Sequence, residues 1–228
     1  MRSDGDLEIE VAGERLVLLP ERAVYRPECG ELLVADPHWG KAAAFRTLGV
    51  AVPGGTTRGG LARLAQALAR TGARRLVVLG DLLHARAGRQ PRIFDEIAAW
   101  RAEHHALEIT LVRGNHDRGA GDPPDELGIH CCDEPCAAAP FLYVHHPRED
   151  ARGYVLGGHL HPSVTLRGAG RQRQRLPCFH FGPRVGVLPA FGDFTGTADV
   201  VVRPGDRVFV PAHGVVVETG LAPVGRRR

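Results

Sequence analysis

Five short apolar runs punctuate the chain, and each is followed by residues able to bind a metal. Leu32-Leu33-Val34-Ala35 precedes Asp36-Pro37-His38, Leu76-Val77-Val78-Leu79-Gly80 precedes Asp81, and Ile109-Thr110-Leu111-Val112-Arg113-Gly114 precedes Asn115-His116-Asp117. Phe141-Leu142-Tyr143-Val144 then precedes His145-His146, and Tyr154-Val155-Leu156-Gly157-Gly158 precedes His159-Leu160-His161. Runs this short, bounded by Gly or polar residues, predict buried strands. Ligands gather beyond the carboxyl ends of strands in open sheets. Five such ends carrying Asp, Asn and His therefore predict one shared site.

Around these runs the patterning alternates between the two periods of regular structure. Residues 7–35 read as a meander of four strands broken at Gly13, Pro20 and Pro27 to Gly30, the last strand ending at Asp36. Residues 40–48, 57–71 and 92–104 have helical spacing, with Thr56 or Thr57 placed to cap the second helix and Gly72 to end it. Strand, helix, strand, helix, strand across 32–113 predicts parallel pairing with right-handed crossovers. Short strands follow residue 120, including a hairpin of Val200-Val201-Val202 with Val208-Phe209-Val210 across Pro204-Gly205. No repeat or linker divides the chain, so a single domain over residues 1–228 is expected.

Composition narrows the class only slightly. No apolar stretch approaches the ~20 residues that span a bilayer, and Met1 to Asp6 lacks the apolar region of a secretory signal. A cytoplasmic protein with no membrane partner is expected. Five cysteines, an odd number, suit reduced thiols, and Cys131, Cys132 and Cys136 have no second pair at zinc-finger spacing. A net charge of +3 does not identify a nucleic-acid binder. Its distribution says more: Arg167, Arg171, Arg173 and Arg175 cluster soon after the last histidines, and Arg226-Arg227-Arg228 end the sequence.

Candidate chemistry comes from the strand ends. On an extended strand, Asp36 and His38 point the same way and can grip one cation; His159 and His161, again two apart, shift the balance toward metal binding. Asp81 has two oxygens with which to bridge two ions, and Gly80 lets the backbone approach. Asn115 adds a neutral oxygen. An Asp, Asn and His set without Cys suits manganese, iron or zinc.

Taken in order, Asp36-x-His38, Gly80-Asp81, Gly114-Asn115-His116-Asp117, His145 and Gly158-His159-x-His161 resemble the motif set of the calcineurin-like metallophosphoesterases. A narrower resemblance, to the bacterial ligase-associated DNA damage response endonucleases, rests on Ala35 through Lys41, His145-x-Pro147, and Leu188-Pro189-Ala190-Phe191-Gly192 before Phe194-Thr195-Gly196. It implies an α/β fold, a four-layer α-β-β-α sandwich of two mixed sheets flanked by helices. It also implies two divalent metal ions, Mn2+ first and Fe or Zn as alternatives. Asp36, His38 and His161 would hold one ion, Asn115, His145 and His159 the other, and Asp81 would bridge them. His145 is preferred to His146, which strand alternation would turn to the opposite side. His116 resembles the residue that protonates the leaving oxygen, with Asp117 placed to orient its ring. His84 reads as a support residue or a plain loop histidine, and Trp39 as core or as a base-stacking residue.

The activity implied is hydrolysis of DNA phosphodiester bonds, in single strands, alongside DNA-repair proteins. A small nucleotide or cyclic nucleotide is the alternative substrate, because the rim and not the metals selects it. A non-catalytic scaffold would show broken ligands, and every one is present.

Overall fold

The computed structural model describes residues 5–168 and 172–221. Arg171 and Arg226 to Arg228, and the side chain of Arg167, lie outside the described residues.

The alternating N-terminal segment folds as β1 (Leu7–Val11), β2 (Glu14–Leu19), β3 (Ala23–Arg26) and β4 (Glu31–Val34), paired antiparallel in sequence order. Then follow α1 (Lys41–Thr47), α2 (Thr56–Thr71), β5 (Arg75–Leu79), α3 (Pro91–Glu103), β6 (Glu108–Val112), α4 (Asn115–Ala120) and β7 (Ile129–Cys132). From β4 to β7 every pairing is parallel, as the strand–helix alternation predicts. The central strands are covered on both faces, which is why they read as continuous apolar runs. Leu32, Val34, Leu76 and Val78 face Leu61, Leu64 and Leu68 of α2 and Ile97 and Trp100 of α3. The alternate residues Leu33, Val77 and Leu79 face the second sheet. Neither threonine caps α2: the cap residue is Gly55, which has no side chain, and Thr57 inside the first turn accepts the Gly40 N–H at 3.2 Å; Gly72 ends the helix as predicted.

The second half supplies β8 (Cys136–Ala138), β9 (Phe141–Tyr143), β10 (Tyr154–Gly157), β11 (Pro162–Arg167), β12 (Arg173–Pro177), β13 (Phe179–Phe181), β14 (Val185–Val187), β15 (Ala198–Asp199), β16 (Arg207–Ala212) and β17 (Val215–Glu218). They form a seven-stranded sheet ordered β17-β16-β13-β14-β10-β9-β8, and a three-stranded one ordered β12-β11-β15. Tyr143, Leu156, Phe179 and Phe209 of the larger sheet meet Leu33, Val77 and Leu79 in the core between the sheets. The small sheet packs by Val164, with Val202, against Val208 and Val210. The α/β sandwich of two mixed sheets is thus the observed architecture.

Two expectations need correction. Val200–202 form no strand: Val202 buries in the core beneath the small sheet without entering a ladder, and β16 pairs with β17 across Gly214. Nor are all thiols reduced. The turn from the end of β7 to the start of β8 brings Cys132 and Cys136 together in a disulfide, leaving Cys29, Cys131 and Cys178 free. Among the described residues, no helix is long and apolar enough to cross a membrane.

Candidate metal centre

Strands β4, β5 and β6 of one sheet and β9 and β10 of the other deliver their carboxyl ends to one place. Cross-strand bonds fix the tips: the Asp36 N–H donates to Gly80 O at 3.1 Å, His38 N–H to Asp81 O at 2.9 Å, and His159 N–H to the Asp36 carboxylate at 2.9 Å. The backbone there is not extended. Of nine non-glycine residues with positive φ among those described, five are Asp36, His38, Asp81, His159 and His161. Each left-handed residue costs about 1–3 kcal/mol, a cost that concentrates at functional sites. Strand alternation therefore does not aim these side chains; tight turns past the strand ends do. Gly80 and Gly114 allow the approach. A Cβ at Gly80 would lie 2.1 Å from His145 Nδ1, and one at Gly114 would lie 2.2 Å from Asp81 Oδ1.

The donors collect in two groups that share Asp81. In the first, His161 Nε2 lies 3.5 Å from Asp36 Oδ1, and His38 Nε2 lies 3.9 Å from Asp81 Oδ2. In the second, His145 Nε2 lies 3.0 Å from Asn115 Oδ1, 3.1 Å from His159 Nδ1 and 3.5 Å from Asp81 Oδ1. Asp36, His38, Asp81 and His145 are buried, yet Asp36 Oδ1, both His38 nitrogens and His161 Nε2 have no hydrogen-bond partner. Buried polar atoms left unpaired cost about 1–3 kcal/mol each. Converging carboxylate and imidazole atoms left this way fit divalent cations, which would satisfy them together.

A family model for calcineurin-like phosphoesterases matches residues 32–213. The chain belongs to the calcineurin-like phosphoesterases. Its sequence is 41% identical to Pseudomonas putida nuclease MPE, whose crystal structure superposes with a TM-score of 0.83 and covers 93% of this chain and 100% of that one. That neighbour is consistent with the ligase-associated branch that the motifs resemble. The E. coli phosphoesterase Yfce, at 15% identity and TM-score 0.37 over 84% of this chain and 99% of its own, is too distant to inform the site. No curated protein matches. This phosphoesterase is a metal-dependent phosphodiesterase, a hydrolase.

Electrostatics in the phosphoesterase site follow from burial. Asp81 is pushed up to about 7 by burial and by the Asp36 carboxylate. Burial lowers His38, His145 and His159, keeping their rings neutral and fit to donate lone pairs. His161 is raised: burial opposes protonation, but contact with Asp36 outweighs it. Lys41, the sole lysine, sits half-buried at the start of α1 and is lowered by burial against the pull of Asp81 and Asp36.

His116 and Asp117 sit at the start of α4. Asp117 does not reach the His116 ring. Its carboxylate accepts the N–H of Gly114 at 2.9 Å and of Leu83 at 3.0 Å, tying the helix start to the loop after β5. The His116 ring is held instead by the carbonyl of His84, 2.7 Å from Nδ1, and stacks on the His84 ring with centroids 4.7 Å apart. His84 is thus part of the site, and burial lowers it to about 4. Trp39 is core, 4% exposed beside Trp100.

His146 also departs from expectation. Strand β9 stops at Tyr143, so alternation no longer governs residues 145 and 146, and the His146 ring lies 4.4 Å from that of His159. Glu134 fixes both histidines. Its carboxylate accepts the N–H of His145 at 2.7 Å and of His146 at 2.8 Å, and lies 2.7 Å from His146 Nδ1. Nothing in the sequence separates Glu134 from any other loop acid. Of the arginine cluster, Arg175 is bonded to Asp199 at 2.9 Å and Arg173 is exposed on β12.

Proposed function

We propose that this phosphoesterase is a two-metal endonuclease that hydrolyses phosphodiester bonds in single-stranded DNA during DNA repair, working in the cytoplasm as one domain of 1–228. The observation that carries the reading is the set of buried, partnerless atoms on Asp36, His38 and His161 beside the His145, His159 and Asn115 group, with Asp81 between. Support for a nucleic-acid substrate comes from the nuclease neighbour at 41% identity.

In this reading Asp36, His38 and His161 would hold one ion, Asn115, His145 and His159 would hold the other, and Asp81 would serve both. The mixed oxygen and nitrogen set suits Mn2+, with iron or zinc as substitutes. When bound, the ions supply the Lewis acidity that phosphodiester hydrolysis needs at neutral pH. The chain's own groups do the rest. His116, half-exposed with Nδ1 held by the His84 carbonyl and Nε2 3.9 Å from Asp81 Oδ2, gives its Nε2 proton to the departing oxygen. Asp117 fixes α4, and so the position of both Asn115 and His116. Glu134 orients His145 and His146.

The test is the metal-depleted protein reconstituted with Mn2+ and offered single-stranded DNA, duplex DNA and a small diester side by side. Preferential cutting of the single strand is expected. Hydrolysis of the small diester alone overturns the nuclease assignment.

A further inference from the structure

Phe194 combines two unfavourable features at one position. It is 53% exposed, the only exposed Phe, Tyr or Trp among the described residues. Its φ is +66°, a left-handed conformation that a bulky side chain rarely adopts. An exposed ring buries little apolar surface, and left-handed strain is unfavourable, so nothing in folding accounts for a Phe here.

The loop that carries it is bound to the metal centre at both ends. The N–H of Phe191 donates to Ala35 O at 2.7 Å and that of Gly192 to Asp36 O at 3.1 Å, while His161 Nδ1 lies 2.8 Å from Gly196 O. Asp193 is fixed by Arg22 and Arg63, each at 3.3 Å. A Cβ on Gly192 would lie 2.4 Å from Pro37 O, so the loop is pressed against the Asp36 turn. Phe194 is thus an exposed ring on an anchored loop, two residues from a contact to Asp36 and two from a contact to His161, both members of the first donor group.

We propose that Phe194 is a stacking platform for an unpaired nucleobase of the strand whose phosphate lies at the metal centre. The inference rests on the nuclease reading above and gives its single-strand preference a physical cause. A base within a duplex is stacked on its neighbours and has no free face for the ring, whereas an unpaired base does. Stacking of this kind is indifferent to base identity, because every base has a π-face.

Phe194→Gly removes the ring and relieves the left-handed strain together, and Phe194→Trp restores a ring. The measurements are the melting temperature, and KM and kcat/KM for a single-stranded oligonucleotide and for bis-p-nitrophenyl phosphate. For Phe194→Gly we expect a melting temperature at or above wild type. Its preference for the oligonucleotide over the small diester should fall by about five- to a hundred-fold, mainly through KM, with recovery in Phe194→Trp. Oligonucleotides with a single abasic residue at successive positions provide the signature. At one position wild type should lose a comparable factor, and Phe194→Gly should not notice the missing base. An unchanged substrate preference in Phe194→Gly, or a lowered melting temperature, overturns the platform and leaves the nuclease reading standing. Failure of wild type to bind or cut any oligonucleotide, while it hydrolyses the small diester, overturns the nuclease reading and the platform with it.

Discussion

The His116 imidazole hangs from the backbone carbonyl of His84, with Nδ1 2.7 Å from that oxygen and Nε2 3.9 Å from Asp81 Oδ2. A backbone acceptor fixes the tautomer whatever the His84 side chain does, and so leaves Nε2 to exchange the catalytic proton. His116→Ala should keep its metal and slow diesters with alkoxide leaving groups by about 10²–10⁴-fold. Diesters that release p-nitrophenolate, which needs no proton, should slow far less. Steady-state kinetics on both, with metal analysis, checks this; equal losses would remove the acid role.

Asp81 gives a pH-dependent prediction for the metal-free protein. Its pKa rises from 3.8 to about 7 on folding. The folded state therefore binds that proton more tightly than the unfolded chain. The resulting stability is present below 3.8 and is lost as pH rises through about 7. Asp81→Asn escapes the loss, so metal-free Asp81→Asn should gain on wild type by an amount of the order of 4 kcal/mol on going from acid to pH ~8. The comparison must be the difference between the two proteins, because neutral His38 and His84 impose the opposite slope below 6.5. Urea melts at about pH 5 and pH 8 read about 3 kcal/mol of that span, the part lost between pH ~5 and about 7. A gap that stays constant with pH would contradict the assignment.

Two glycines should behave oppositely. An alanine at Gly114 would place its Cβ 2.2 Å from Asp81 Oδ1 and 2.6 Å from Asp81 N, whereas nothing lies within 4 Å of one at Gly59 in α2. Gly114→Ala should cost about 1–3 kcal/mol or more and weaken metal binding. Gly59→Ala should add about 0.5–1 kcal/mol through helix propensity. Thermal melts and metal titration separate the two.

Glu134 holds three hydrogen atoms of the His145–His146 turn in one carboxylate. Removing it in Glu134→Ala should lower affinity for one of two metal ions by about 10–100-fold, as loss of an orienting partner does elsewhere. Calorimetric Mn2+ titration reads the two affinities; two unchanged values would show that the turn holds without it.

Much of this is legible in the sequence, because its signals are local. The five strand-end runs became β4, β5, β6, β9 and β10, and the helical spacing of Leu61, Leu64 and Leu68 became α2. The residues brought together at the centre were all named from motif order. The directions of their side chains were not legible, since alternation ceases where Asp36, His38, His159 and His161 enter left-handed turns. Contacts between distant segments were equally hidden. Glu134 meets His146 only once β8 and β9 pair, and Gly196 meets His161 across a loop that carries no periodic signal. Val200 to Val202 misled because Val200 and Val202 pack in or against a minor core while Val201 is exposed, which leaves the same apolar mark as a strand.

Anomalous diffraction from crystals of the Mn2+-loaded protein tests the central claim most directly. Two peaks are predicted, one among Asp36, His38 and His161 and the other among Asn115, His145 and His159, with the Asp81 carboxylate bonded to both. A single peak, or a pair that Asp81 does not touch, would contradict the two-metal account.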